Sequence, residues 1–383
     1  HRDLHSFPTR RSSIYELKRV LVRSVLILML IVLIAVVAVK SCAAKHGGER
    51  TEDSVQTSQT DSSDTKEHVE PAAEYTTTDN DHLTVGFKGS AVQLVRQGDP
   101  YTESGAFGVD DRTGPVRITS VKGDVDTSRA GDYSVVYTFD SQNAHKELTR
   151  TVRVVSQADF DADTNGIPVM MYHYVYTETD APESLNSNYI LNTDLEAQLA
   201  WLKENDYYFP SYSELRAYVD GRISLPSKSV MLTFDDAQIG FLAYGIPLLE
   251  KYEIPATSFV IGIKDGEAKI KEYASPYIEF ESHSYDMHKP GGNIGHGGII
   301  SALSKEEIIS DLEREIAQVG SSDAFAYPFG DVTDDAIAAV TAAGIKCSFT
   351  TVYGYVEAGD DPAQLTRIRV IGSGSLDSYI STL

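Results

Sequence analysis

Two carboxylates stand side by side at Asp235 and Asp236, at the end of the apolar run Leu232-Thr233-Phe234. Adjacent residues leaving a strand point in different directions, so the pair can divide two tasks between its members. They are too close in sequence to act as the two acids of a glycosidase, which flank a bond from opposite sides. One carboxylate can ligate a metal while the other stays free as a base. Further on, His283 and His288 stand five residues apart in Ser282-His283-Ser284-Tyr285-Asp286-Met287-His288, a segment that reads as a loop. Two imidazoles at that spacing can converge on one cation. With a single aspartate oxygen they make three protein ligands and leave positions open for water, as catalytic zinc sites do. Each element alone has a plainer reading, as two loop or capping aspartates and two exposed loop histidines.

The segments around these residues alternate between strand and helix from Gly166 onward. Ile167–Met171, Ser229–Phe234, Ala256–Ile261, Tyr277–Phe280, Ala324–Tyr327 and Lys346–Thr351 read as strands. Thr193-x-x-Glu196 and Ser304-x-x-Glu307 read as capping boxes opening helices. Ile308, Leu312 and Ile316 follow the second box on one helical face. Thr333–Ala343 reads as a helix ended by Gly344. The alternation fits an α/β fold, a distorted (β/α) barrel, complete or short of a strand. His173, the aspartate pair, the two histidines and Pro328-Phe329-Gly330 all follow strand ends, the face where such barrels carry their chemistry.

Together these residues resemble the polysaccharide deacetylases of carbohydrate esterase family 4, the NodB homology domain. The resemblance rests on Thr233-Phe234-Asp235-Asp236, the His283–His288 loop, Tyr327-Pro328-Phe329-Gly330, Pro168–His173, Pro226–Asp236 and Pro247–Gly262, and spans residues 166–371. The five-residue histidine spacing is similar to the branch that includes the poly-N-acetylglucosamine deacetylases. The resemblance implies that Asp236, His283 and His288 bind a divalent cation, zinc first, with cobalt or nickel as substitutes. It implies that Asp235 is the general base and that the Phe329 backbone N–H stabilises the oxyanion. Acetate and a free sugar amine would be the products.

The family pattern breaks in three places. Ala326 stands where many members carry an arginine that orients the catalytic aspartate, and Arg367 is the candidate to replace it. The later Asp-Trp motif has no match in Gly354–Pro362, and no histidine follows His296 to protonate the leaving amine. General acid catalysis is worth roughly 10²–10⁴-fold, so a substitute is expected. His173, at a strand end facing the same mouth, is the candidate; His296, in the glycine-rich loop Gly291–Gly298, reads as a mobile loop residue. Tyr172, Tyr174, Tyr285 and Phe329 are candidates to line a sugar groove, and Cys347 reads as a buried thiol.

Upstream of residue 158 the sequence changes character. His82–Gln157 shows short alternating strands, with Tyr133, Val135 and Tyr137 on one face of Asp132–Phe139, a second strand at Leu148–Val155, and a turn at Ser141–Ala144. Gly98–Asp111 and Gly123–Tyr137 resemble bacterial surface Ig-like repeats. Residues 82–157 are therefore expected to be a small all-β Ig-like domain, a spacer or a glycan-binding module with no chemistry of its own. Residues 41–81 are rich in Ser, Thr, Asp and Glu and read as a disordered stalk. Within residues 13–40, Lys18, Arg19 and Arg23 precede the uncharged run Ser24–Val39, which reads as a single-pass transmembrane signal anchor with basic residues inside. A cleaved signal peptide is the competitor, but no A-x-A site follows closely, and Val39-Lys40-Ser41-Cys42 is a poor lipobox. Residues 1–12 read as non-native or cytoplasmic.

The whole chain of 383 residues carries 33 Lys and Arg against 56 Asp and Glu, a net charge of −23, which argues against nucleic acid as a partner. Two cysteines exclude a disulfide scaffold. The expectation is a monomer held on the cell membrane, with an extracellular domain at residues 158–383 that deacetylates a GlcNAc-containing polysaccharide. The competing class is a carbohydrate-binding surface protein that has kept the barrel and lost turnover.

Overall fold

The structure, a computed structural model, describes residues 77–383. The apolar run Ser24–Val39, Cys42 and nearly all of the stalk lie outside the described residues. Among the described residues no helix is long and apolar enough to cross a membrane. They belong to one compact unit. Thr77–Asn80, the end of the segment read as a stalk, is a short helical turn, with Asn80 Oδ1 accepting from the His145 amide at 2.7 Å.

The first half of this unit is two small sheets. Strands β1 (Leu83–Phe87), β3 (Ala106–Asp110) and β4 (Gly114–Val116) form one; β2 (Val92–Arg96), β7 (Ala144–Val155), β6 (Gly131–Ser141) and β5 (Ile118–Lys122) form the other. The long β6–β7 hairpin pairs from Gly131↔Val154 to Ser141↔Ala144. Its period-two pattern turns Val135, Tyr137 and Phe139 inward against Leu83, Val152 and Val154.

The second half is built on parallel strands. β8 (Val169–Tyr172) leads through the small pair β9 (Tyr174–Tyr176) and β10 (Tyr189–Leu191) to β11 (Met231–Phe234), β12 (Ala256–Val260), β13 (Ile278–Ser282), β14 (Ala324–Ala326), β15 (Cys347–Tyr353) and β16 (Leu365–Arg369). Seven of these, β8 and β11 to β16, close on themselves, with Ile368 and Arg369 of β16 pairing Met170 and Met171 of β8. The surrounding helices are α1 (Asn192–Glu204), α2 (Tyr212–Val219), α3 (Ile246–Tyr252), α4 (Gly266–Glu272), α5 (Lys305–Val319), α6 (Asp334–Ala342) and α7 (Leu376–Ile380).

The Ser304–Glu307 capping box opens α5, and a second box, Ser211–Glu214, opens α2. Thr193-x-x-Glu196 is not a box. β10 ends at Leu191 and runs straight into α1, so the strand exit sets the helix start, and Leu191 caps it without a side-chain bond. Glu196 lies inside the helix and pairs with Lys251, with Tyr252 donating to it at 3.2 Å.

The inward stripe of α5 is Ile308, Leu312, Glu315 and Val319, with Ile316 only partly buried. Glu315 is fully buried, and neither of its carboxyl oxygens has a hydrogen-bond partner. It packs over Gly262, where a Cβ would meet Glu315 Oε2 at 1.9 Å. Burial, then Asp311, push its carboxyl up to about 9 against the pull of Arg314. The folded state thus holds a proton that the unfolded chain releases near pH 4.5. The stabilising difference is complete below that value and is lost as pH rises towards 9, at up to about 1.4 kcal/mol per pH unit. Glu315→Gln should flatten this slope and raise the melting temperature at pH 8; melts at pH 5, 7 and 9 check it, and parallel slopes in the two proteins would reject it.

Candidate active site

The site forms where β8, β11, β13 and β16 end. After Phe234 the chain turns through Asp236 and Ala237 with φ of +72° and +42°, left-handed values uncommon for residues with a Cβ. That turn separates the two carboxylates. Asp235 meets groups on β16 and β8, whereas Asp236 meets the loop after β13.

Asp236 Oδ1 lies 3.2 Å from His288 Nε2 and 3.5 Å from His283 Nε2, and its Oδ2 accepts from the Tyr174 hydroxyl at 2.8 Å. Asp236 Oδ1 is buried without a hydrogen bond. His283 Nδ1 lies 2.7 Å from the Ala326 carbonyl. A carbonyl can only accept, so Nδ1 carries the proton and Nε2 turns a lone pair towards Asp236. Burial, then His283, push His288 down to about 4, so it is neutral at pH 7. Three electron-pair donors therefore face one another within 4.8 Å. Such a set is repulsive by itself and fits a divalent cation with nitrogen and oxygen ligands.

The loop carrying the histidines is held from outside. Asp311 on α5 accepts the amides of Tyr285 and Asp286 at 2.7 and 2.8 Å. The His288 ring stacks on Phe329 at 4.7 Å, and Phe329 itself takes φ +63°.

Asp235 is almost fully buried and is gripped by Arg367, Nη1 to Oδ1 at 2.7 Å and Nη2 to Oδ2 at 2.9 Å. Burial by itself would raise the carboxyl, but Arg367, then His283 and His173, hold it well below the usual carboxylate range. Arg367 is fixed in turn by the Thr350 carbonyl at 3.0 Å and Thr233 Oγ1 at 3.2 Å. It reaches across from β16 to a carboxylate that Ala326 cannot touch. His173 Nε2 lies 3.9 Å from Asp235 Oδ2; burial pushes this imidazole down, and Asp235 and Asp236 pull it back up.

His173, Asp235, Asp236, His283 and His288 line one open cavity of about 290 Å³, together with Tyr174, Asn188, His296, Tyr327, Phe329, Thr351 and Arg369. Arg369 had drawn no role from the sequence. It lies two residues beyond Arg367, hence on the same strand face, and donates to Asn188 Oδ1 at 2.6 Å. Two arginines spaced by one residue in a late strand were the available signal. His296 is on the rim, its loop tied by the His296 and Gly298 amides to Asp331, both at 2.7 Å.

Two groove candidates are elsewhere. Tyr172 precedes His173 and so faces away from the mouth; it is buried, stacks on Phe234 at 4.7 Å and donates to Gln198 Oε1 at 2.8 Å. Tyr285 lies under the Arg314 guanidinium, 3.5 Å from ring centre to carbon, outside the cavity. Cys347 is buried with Sγ 3.7 Å from the Tyr212 carbonyl.

Comparison with known proteins gives two family matches. Residues 222–348 match the polysaccharide deacetylase family, and residues 85–154 match the bacterial surface protein Ig-like domain. Among curated proteins, the chain is 28% identical over 215 residues to a poly-beta-1,6-N-acetyl-D-glucosamine N-deacetylase of Staphylococcus aureus, covering 52% of this chain and 73% of that one. A protein of the same name from Staphylococcus epidermidis is 28% identical over 198 residues, covering 47% and 68%. Among solved structures, a Streptococcus pyogenes deacetylase in complex with acetate is similar at 26% identity and a TM-score of 0.49, covering 57% of this chain and 99% of that one.

Proposed function

From a chain that carries a polysaccharide deacetylase domain behind a bacterial surface Ig-like domain, we propose a metal-dependent hydrolase that removes N-acetyl groups from a GlcNAc-containing polysaccharide outside the cell. The observation that carries this reading is the division of labour between adjacent aspartates. Asp236 opposes two imidazole lone pairs, while Asp235 is locked by Arg367 and stays off the metal set. The names of the staphylococcal relatives support poly-β-1,6-GlcNAc as the first substrate to test, with peptidoglycan second. The run Ser24–Val39 after Lys18, Arg19 and Arg23 supports a membrane anchor with the barrel outside.

Asp236, His283 and His288 would hold the cation, zinc by the nitrogen-rich ligand set. Such a cation would supply polarisation of the acetamide carbonyl and a water whose pKa falls from 15.7 towards about 7; Asp235, a weak base, would take that proton. Arg367 keeps Asp235 ionised and aimed. The Phe329 amide, on the left-handed turn beside His288, is the proposed donor to the oxyanion, worth about 3 kcal/mol. His173, beside Asp235 in the cavity, is proposed to protonate the leaving amine. The competing reading, a binder without turnover, drew on Ala326 and on the absence of a histidine after His296; Arg367 supplies the missing guanidinium and removes the first support, and His173 is the proposed answer to the second.

Acetate release from β-1,6-GlcNAc oligomers and from peptidoglycan glycan, before and after chelation and zinc return, tests the proposal. Release lost on chelation and restored by zinc is expected; binding of oligomers with no acetate under any metal would overturn it. His173→Ala should slow acetamide hydrolysis by roughly 10²-fold or more. It should spare an aryl acetate, whose phenolate leaves without a proton. Equal losses on both substrates would remove the acid role.

A further inference from the structure

At the end of the barrel opposite the cavity, β13 and the approach to β14 bring Glu279, Glu281 and Asp323 together. Glu279 and Glu281 lie on the same face of β13 as His283, at i, i+2 and i+4, so they lie beneath the metal-ligand layer. All three are buried, with carboxylate oxygens within 4.8 Å of one another. Three acids so placed need a counter-charge, because a buried unpaired charge is several kcal/mol unfavourable.

The counter-charge comes from the other domain. Lys88, in the turn between β1 and β2, puts Nζ 2.6 Å from Glu279 Oε1, 2.7 Å from Asp323 Oδ2 and 3.8 Å from Glu281 Oε1, and donates to Ser321 Oγ at 3.1 Å. Lys346 pairs with the far oxygen of Asp323 at 2.8 Å. Burial, then Glu279, push Glu281 well above the usual carboxylate range. A protonated Glu281 leaves two carboxylates facing two ammonium groups.

The turn that delivers Lys88 is built for that purpose. The fully buried Arg150 guanidinium donates to the carbonyls of Lys88 at 2.9 Å, Gly105 at 2.8 Å and Ser90 at 2.5 Å, and sits 4.6 Å over the Phe87 ring. Gly89 takes φ +71°, and a Cβ there would meet the Ser211 amide at 2.6 Å and the Phe209 carbonyl at 2.7 Å. Ser90 then pairs with Phe209 in both directions, amide to carbonyl at 2.8 Å and hydroxyl from amide at 2.9 Å. Ser104 Oγ donates to Glu214 of the α2 capping box at 2.8 Å.

We infer that the Ig-like domain is the floor of the barrel rather than a spacer, and that Lys88 is a built-in cation occupying a site of three acidic side chains that would otherwise take a divalent ion. Hard carboxyl oxygens suit calcium, which would complete its shell with water, once the ammonium is gone.

The test uses the full chain in mild detergent. Lys88→Met is expected to lower the melting temperature by on the order of 10 °C. Adding Glu279→Gln and Asp323→Asn should restore most of that loss, because the uncompensated charges leave with them. Lys88→Ala, which opens the space, should recover with millimolar calcium, and the same protein with both neutralising substitutions should not. If Lys88→Met fails to fold, the triple variant is still expected to fold. The inference is overturned if Lys88→Met melts within about 2 °C of the parent or if the neutralising pair deepens the loss. It is also overturned if the triple variant fails to fold or if calcium leaves Lys88→Ala unchanged.

Discussion

Asp235→Asn should lower acetate release by roughly 10²–10⁴-fold and leave zinc content unchanged. The carboxylate lies beside the metal-ligand set but is committed to a non-ligand partner, through two charge-assisted bonds to Arg367 that keep it ionised. An amide of the same shape keeps one acceptor for the guanidinium but cannot take a proton. The three facing atoms of Asp236, His283 and His288 are untouched by the change. Zinc content by elemental analysis and acetate release, both measured well below the variant's melting temperature, separate the two functions. Loss of zinc along with activity would place Asp235 among the ligands and sink the assignment.

Arg367→Met should do most of its damage to the fold. The guanidinium is completely buried, as is its partner for practical purposes, and it also satisfies the Thr350 carbonyl. Removing one member of such a pair leaves a carboxylate in a low-dielectric interior, at a cost of about 3–5 kcal/mol. Arg367→Lys keeps the charge but not the two-pronged geometry, so it should recover stability better than turnover. Denaturant unfolding measures the first effect and kcat the second. A Lys variant with full turnover would show that charge alone is needed. A Met variant as stable as the parent would show that the pair contributes nothing net.

The local parts of this organisation were legible from residue order. Alternation along Asp132–Phe139 located β6 because its inward side chains meet a single core at period two. The spacing of His283 and His288, with Asp236, located the convergence because strand ends in a parallel barrel share one rim. What was not legible depends on pairing between distant strands. The break at Ala326 made Arg367 a candidate, but nothing within a short window of sequence says that β16 will lie across the barrel and bring it to Asp235. Thr193 and Glu196 match a capping pattern that the exit of β10 overrides. Lys88 is one lysine in a turn, unremarkable until the fold sets three acids around it. The contact between residues 82–157 and the barrel was not legible for the same reason, since it is made by backbone groups and single side chains with no periodic signature.

The bond between Asp235 and Arg367 spans 132 positions of the chain, and it forms only when β16 docks beside β8 to close the ring. Protein synthesis runs from the N-terminus and domains settle as they emerge. The proposed metal ligands Asp236, His283 and His288 are therefore all made while the proposed base beside them still lacks its guanidinium. Contacts of such long sequence separation form late and slowly. On the proposed mechanism, the base therefore gains its guanidinium partner only when β16 docks, after the chain that carries Asp236, His283 and His288 has been made.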